Sequence, residues 1–247
     1  MDHPRIKKDP PLELIDAGRE LLSTPDFSIR DNMYDHDLDT IANVCLKGAE
    51  GRDTARTLCD QIKQGFLDHT FRTYSVEQFL QSIFELQPKI ALDVFFGSAR
   101  NTAGSGHFVD QFFRFPSYRG NPLDGVPIDV MLNWCDTEPD RYQAVSRAVS
   151  FQAGAKWTPL AMEMLKRAPD PLAILKMFVQ RFSPGGWSGS LADILETRMG
   201  LLDQLQELGN RSLEQYAAEI RPQLVDQIAQ RRRLEDERDS ARGERFE

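Results

Sequence analysis

The chain has 247 residues, of which 40% are apolar and 15 are phenylalanine, so it is long enough to bury a sizeable core in one or two domains. Its net charge of −8 disfavours nucleic acid as the default partner, because phosphate contacts need clustered lysine and arginine. No apolar run approaches the ~18 residues that a membrane span needs, and no signal peptide is evident, so we expect a cytoplasmic protein without membrane contact.

Apolar stripes at helical spacing predict an N-terminal helical half over residues 1–96. One stripe runs from Leu38 to Cys45 and another from Ala55 to Ile62, and the glycines between them favour an antiparallel hairpin. Ser75, with Gln78 three residues later, has the pattern of a capping box that begins the next helix.

The three cysteines do not form a recognisable pair or metal site. Cys45, Cys59 and Cys135 are scattered without CxxC spacing, which argues against a disulfide framework or a zinc site and is typical of a reducing compartment. Cys45 and Cys59 lie on apolar helical faces, so the sequence predicts buried, inert thiols there.

Residues 97–126 predict a long loop, which is the expected boundary between two helical halves. The loop is rich in glycine, serine and asparagine, and a loop of this length in a compact domain is usually functional or mobile. Its aromatic residues are expected to anchor it on the helices: Phe108, Phe112, Phe113 and Phe115. The segment Gly104–His107 lacks the lysine of a nucleotide-binding P-loop and is interpreted as flexible, with His107 as a candidate partner contact.

Prolines at the start of successive apolar segments predict a stack of short helices. Proline suits the first helical position, because its fixed φ is already helical and its missing N–H would have no partner there. The pattern recurs at five places: Pro88, Pro127, Pro139, Pro159 and Pro171.

C-terminal helical repeats are predicted over 127–229. Thr158 and Asp170 are expected to cap two of their helices. The longest helix is expected after the turn SPGGWSGS, with an apolar stripe from Leu191 to Leu205. Residues 230–247 form a charged tail, either a solvated helix end that frays or a disordered segment.

The predicted fold is all-α, an irregular HEAT-like α-solenoid of antiparallel helix pairs. Helix pairs recur about every 35 to 45 residues, which is the period of HEAT-type repeats. No convincing strand is predicted, because alternating β-branched runs and hairpin turns are missing from the sequence.

No catalytic, cofactor or metal site is predicted. His36 and Asp37 resemble the dyad of metal-dependent phosphohydrolases, but one adjacent pair cannot fill a metal's coordination sphere. Gly186–Gly189 approaches the GxSxG pattern of serine hydrolases with the wrong spacing and no preceding strand.

Residues around the SPGGWSGS turn are the other candidates for partner contact. Ser188 or Ser190 is expected to cap the following helix, whose N-terminus is alternatively a site for an anion or a partner's carboxylate. Arg198 lies in an apolar stripe, where it forms either a structural ion pair or a partner contact. Three tryptophans lie at helix ends and are expected in the core or in packing between repeats, and an exposed one would mark a binding surface: Trp134, Trp157 and Trp187. Trp187 is a candidate partner contact because it lies in the SPGGWSGS turn.

Several long segments resemble the C-terminal helical region of large bacterial NTPases of the STAND/NACHT class and related antiphage-defence proteins. These segments are QPKIALDVFF from Gln87, NPLDGVPIDVMLNWCDTEPDRYQAVSRAVSFQ from Asn121, and WTPLAMEMLKRAPDPLAILKMFVQRFSPGGWSGSLADILETRMGLLDQL from Trp157, followed by a charged tail ending in ERFE. The resemblance implies a HEAT-like sensor or scaffold that is not itself an enzyme. The chain contains neither the P-loop nor the effector module of that class, so the NTPase chemistry is not carried over.

Three functional hypotheses follow. The first is a non-catalytic scaffold or sensor that binds a protein partner, with the 97–126 loop and the Trp187–Ser190 turn as contact points. The second is an acidic immunity or inhibitor protein whose charge steers it to a basic partner. The third is a metal-dependent phosphohydrolase built around His36 and Asp37.

Overall fold

The computed structural model describes residues 10–24, 34–70, 76–97, 109, 112–113 and 120–243. The fold is all-α, as predicted, and divides into two compact units, Met1–Asp136 and Thr137–Glu247. The domain boundaries proposed from the sequence, at residues 96, 126 and 229, remain predictions.

The Met1–Asp136 unit contains six described α-helices and one short 3₁₀ segment, Pro122–Gly125. The helices are α1 (Leu12–Leu22), α2 (Tyr34–Cys45), α3 (Arg52–Leu67), α4 (Glu77–Leu86), α5 (Pro88–Phe96) and α6 (Ile128–Cys135). Pro88 occupies the first turn of α5 as predicted, whereas α6 begins one residue after Pro127. Ser75 of the predicted capping box lies outside the described residues.

Helices two positions apart in the chain form the main contacts of this unit, α2 with α4 and α3 with α5. The predicted α2–α3 hairpin is therefore not the principal packing pair. Phe112 and Phe113, within the predicted 97–126 loop, contact phenylalanines of α3, α4 and α5, with ring centroids 4.9–5.9 Å apart. The packing of these two rings on the helices is confirmed, but both residues are themselves helical. Phe108 and Phe115 lie outside the described residues.

A buried polar cluster connects α2 to α4. The Asp39 carboxylate accepts hydrogen bonds from the Ser82 hydroxyl, from Gln78 at 2.6 Å and from Asn43 at 3.1 Å. Because Asp39 is only 8% exposed, these donors replace the water that its carboxylate loses on folding.

The described part of the Thr137–Glu247 unit contains five α-helices. They are α7 (Pro139–Ser146), α8 (Pro159–Arg167), α9 (Pro171–Gln180), α10 (Leu191–Met199) and α11 (Arg211–Gly243). Three of them begin with proline, and Thr158 and Asp170 cap α8 and α9 by accepting from backbone N–H groups, as predicted.

Three features of this unit differ from the sequence predictions. A two-stranded antiparallel hairpin pairs Gln152–Ala153 with Lys156–Trp157, and strands of two residues are too short to show an alternating pattern. The helix expected from Leu191 to Leu205 changes at Gly200 into a 3₁₀ segment, Gly200–Leu208. The longest helix is instead α11, which passes through Pro222 and continues into the charged tail as far as Gly243.

All three cysteines are buried and unpaired by disulfides, as predicted for Cys45 and Cys59. Burial raises the pKa of both of these thiols, which keeps them protonated and unreactive. No helix in the described part of the chain combines the length and apolar character needed to cross a lipid bilayer.

Candidate protein-binding turn

Residues 183–190, which lie between α9 and α10, include an exposed tryptophan. We call this segment the Trp187 turn. The Trp187 side chain is 49% exposed, whereas Trp134 and Trp157 are each 5% exposed. The two buried indoles donate their N–H groups to Asp93 Oδ1 and to the Leu201 carbonyl, both at 2.8 Å. Two tryptophans thus have core roles, and Trp187 is the one placed at the surface.

Arg198 of α10 binds the two residues that directly precede the Trp187 turn. Its Nη1 donates to the carbonyl oxygens of Arg181 and Phe182, at 3.0 and 2.6 Å, and its Nε donates to Gln152 Oε1 at 2.8 Å. These carbonyls follow the last turn of α9, where a cation also interacts favourably with the helix dipole. Partial burial lowers the pKa of the guanidinium. The predicted ion pair is wrong, because among the described residues Arg198 binds carbonyl and amide oxygens instead of a carboxylate.

Arg181 likewise donates hydrogen bonds to carbonyl oxygens at the C-terminal end of α7. Its Nη1 donates to the carbonyl oxygens of Ser146 and Val149, each at 2.8 Å. The guanidinium carbons of Arg181 and Arg198 lie 5.1 and 5.6 Å from the centroid of the Phe151 ring, within the range of cation–π attraction. Two arginines therefore bind the ends of two helices and contact the same aromatic ring.

Ser190 and Glu235 hold the end of the turn. The Ser190 hydroxyl caps α10 by accepting from the Asp193 N–H at 3.1 Å, while Ser188 is exposed. Ser190 Oγ also donates to Glu235 Oε2 at 2.7 Å, and the N–H groups of Leu191 and Ala192 donate to Glu235 Oε1 at 2.7 and 3.3 Å. The N-terminus of α10, which was an alternative site for a partner's carboxylate in the sequence analysis, is thus occupied by the Glu235 carboxylate of this chain.

Glu235 lies on a stretch of α11 that has little other attachment. From Ala229 to Ala241 every side chain except Glu235 is exposed. Within this stretch, Arg232 adds ion pairs to Asp193 at 3.2 Å and to Glu196 at 2.6 Å on α10. The end of α11 is therefore held to α10 by two polar side chains, Arg232 and Glu235.

The Ser190 hydroxyl, followed by the α10 backbone N–H groups and Arg232, lowers the pKa of Glu235. Because the pKa is lower in the folded chain, the cap stabilises the attachment at pH values above the ordinary range of a glutamate. That stabilisation is lost as the pH falls through the lowered pKa, when the carboxylate takes up a proton.

Replacing Glu235 with alanine is expected to detach the end of α11 without unfolding the unit. We expect amide hydrogen exchange over residues 229–241 to accelerate about tenfold or more, because local opening there loses its main barrier. Exchange in α8 and α9 should not change. Mass spectrometry of peptides from the full-length chain measures both regions in one experiment.

Glu237→Ala is the matched control, because Glu237 is exposed on the same stretch of α11 and forms no hydrogen bond or ion pair with α10 among the described residues. Amide hydrogen exchange over residues 229–241 should be the same in Glu237→Ala as in the wild type. Equal exchange in Glu235→Ala and wild-type chains would show that Glu235 does not hold the helix end.

The remaining candidates from the sequence are not part of this turn. His107 lies outside the described residues. His36 and Asp37 are exposed on α2, and the described residues contain no group of three histidine, cysteine or acidic side chains placed to hold a metal ion.

Sequence reasoning missed Glu235, Arg181 and Gln152 as parts of the support. Each binds a residue more than 30 positions away, so no local pattern in the sequence indicates its partner.

No protein-family model, curated protein or solved structure matches the chain.

Proposed function

We propose that the protein is a non-catalytic α-helical module that binds a protein partner through the Trp187 turn. The exposure of Trp187 is the observation that supports this proposal. Tryptophan is enriched among the residues that dominate binding energy at protein interfaces, because it places a large apolar surface in a partner's pocket.

The fixed ends of the turn support the same proposal. Arg198 holds the carbonyl of Phe182, and Glu235 holds Ser190 and the first N–H groups of α10. A contact loop whose ends are already held loses less conformational entropy on binding.

The biological role, a scaffold or sensor in bacterial antiphage defence, is proposed from the sequence resemblance alone. A cytoplasmic setting is proposed from the three scattered cysteines, which are typical of a reducing compartment. The acidic inhibitor remains the second candidate, because the net charge of −8 would steer the chain to a basic partner.

Replacing Trp187 with alanine is expected to weaken binding of the protein partner so far that it is no longer recovered in affinity capture. A buried interface tryptophan contributes at least about 2 kcal/mol, which corresponds to roughly a 30-fold loss of affinity. Affinity capture with the tagged full-length chain from its native host, with and without phage infection, measures this as the loss of a protein recovered by the wild type.

Val225→Ala is the matched control, because Val225 is also a large apolar residue exposed on the Thr137–Glu247 unit. A protein captured by the wild type and by Val225→Ala but lost from Trp187→Ala supports the proposal. Recovery of the same proteins by all three chains would contradict it.

A further inference from the structure

Helix α1 has one face that is fixed in the core of the Met1–Asp136 unit. Leu22 is fully buried, and Arg19 Nε donates to the Cys45 carbonyl of α2 at 3.0 Å. Gly18 allows the close approach of the two helices, because a Cβ at this position would lie 2.4 Å from Cys45 Sγ. These contacts determine which residues of α1 point to solvent.

A second apolar face of α1 lies next to this buried face and is open to solvent. Leu14, Ala17 and Leu21 are spaced three and four residues apart, so they align along one side of the helix. All three are exposed, Leu14 by 60% and Leu21 by 55%. We call this face the α1 leucine stripe.

An acidic strip borders the α1 leucine stripe on the side away from the core. Glu13, Asp16 and Glu20 are spaced three and four residues apart and are all exposed. Asp16 pairs with Arg19, whereas Glu13 and Glu20 form no ion pair within the described part of the chain. The face that α1 presents to solvent therefore combines an apolar line with two negative charges that have no ion-pair partner among the described residues.

We propose that the α1 leucine stripe is a docking surface for an amphipathic helix of a partner protein whose apolar line is flanked by lysine or arginine. Leucines seven residues apart span two helical turns, which is the length over which a partner helix presents its own apolar residues at i, i+3/i+4 and i+7. Basic flanks on the partner helix would pair with Glu13 and Glu20 and steer its orientation.

Charge argues against a second copy of this chain as the occupant. Two α1 helices packed stripe to stripe in antiparallel orientation would bring their acidic strips together, and like charges in contact disfavour association. This surface lies in the other unit from the Trp187 turn and involves different residues, so the inference is independent of the proposed function.

Two synthetic helical peptides test the proposal on the full-length chain. Both carry leucine at i, i+3/i+4 and i+7, and they differ only in having lysine or glutamate flanks. Fluorescence anisotropy is expected to show that the lysine peptide binds at least about tenfold more tightly than the glutamate peptide. Leu21→Glu is expected to lower the affinity for the lysine peptide by about tenfold or more, because it places a charge within the apolar contact.

Leu67→Glu is the control, because Leu67 is 46% exposed on α3 of the same unit and lies outside the stripe. It should leave binding of the lysine peptide unchanged, and the double variant Glu13→Lys, Glu20→Lys should reverse the preference between the peptides. The proposal is overturned if the lysine peptide does not bind or if both peptides bind equally well. It is also overturned if Leu21→Glu and Leu67→Glu lose the same affinity for the lysine peptide. Self-association of the wild-type chain that Leu21→Glu abolishes would assign the surface to a second copy and overturn it as well.

Discussion

Replacing Arg198 with methionine is expected to lower the free energy of unfolding of the Thr137–Glu247 unit by about 2–4 kcal/mol. Methionine keeps much of the apolar length of the side chain but removes the donors to Arg181 O, Phe182 O and Gln152 Oε1. A hydrogen bond to a charged group contributes about 1.5–3 kcal/mol, and the partial exposure of Arg198 keeps the total below the sum of three such bonds.

Urea unfolding of the full-length chain, followed by hydrogen exchange in α9 and α10, measures this loss. Arg167→Met is the control, because Arg167 is an exposed cation of the same unit whose ion pair to Glu163 is of the surface type. We expect it to change the free energy by no more than about 0.5 kcal/mol. A similar small change in Arg198→Met would show that the guanidinium is not part of the structural support of the turn.

Replacing Asp39 with alanine is expected to destabilise the Met1–Asp136 unit by about 2–4 kcal/mol, because the side chains of Ser82, Gln78 and Asn43 lose a shared buried acceptor. The packing of α2 on α4 is the contact most affected, since Ser82 and Gln78 lie on α4 and Asp39 lies on α2. Hydrogen exchange in α2 and α4 under increasing urea reports this change.

Asp37→Ala provides the comparison for Asp39, because Asp37 lies two residues earlier on α2 and is exposed. Loss of its interaction with the helix dipole should cost less than about 1 kcal/mol. Equal destabilisation by the two substitutions would contradict the account of the buried polar cluster, because exposed and buried carboxylates would then contribute alike.

The helix starts were predictable from the sequence because they depend on neighbouring residues. Thr158 before Pro159 and Asp170 before Pro171 each combine a side-chain acceptor with a proline that needs no N–H partner. Both features act within three residues, and the structure places both caps as predicted. The same local logic predicted Ser190 as one of two possible caps of α10.

The support of the Trp187 turn was not predictable, because it depends on residues brought together by packing. Glu235 lies in a tail whose mixed charges favour a solvated segment, and nothing in its neighbours indicates that Ser190, 45 positions earlier, donates to it. The sequence shows that Arg198 is a charge in an apolar stripe. Its partners there are backbone carbonyl oxygens, and because every residue has one, the sequence does not indicate which of them Arg198 binds. Which tryptophan is exposed is likewise decided by the tertiary fold.

Trp187 is proposed to anchor the protein partner and to contribute at least about 2 kcal/mol to its binding. Titration calorimetry of the protein recovered by affinity capture, against wild-type and Trp187→Ala chains at low and high salt, tests this proposal. We expect Kd to rise roughly 30-fold in Trp187→Ala at both salt concentrations, with a wild-type affinity that salt changes little. Equal affinities for the two chains, or a wild-type affinity governed by salt, would contradict it and favour an acidic inhibitor that binds by charge.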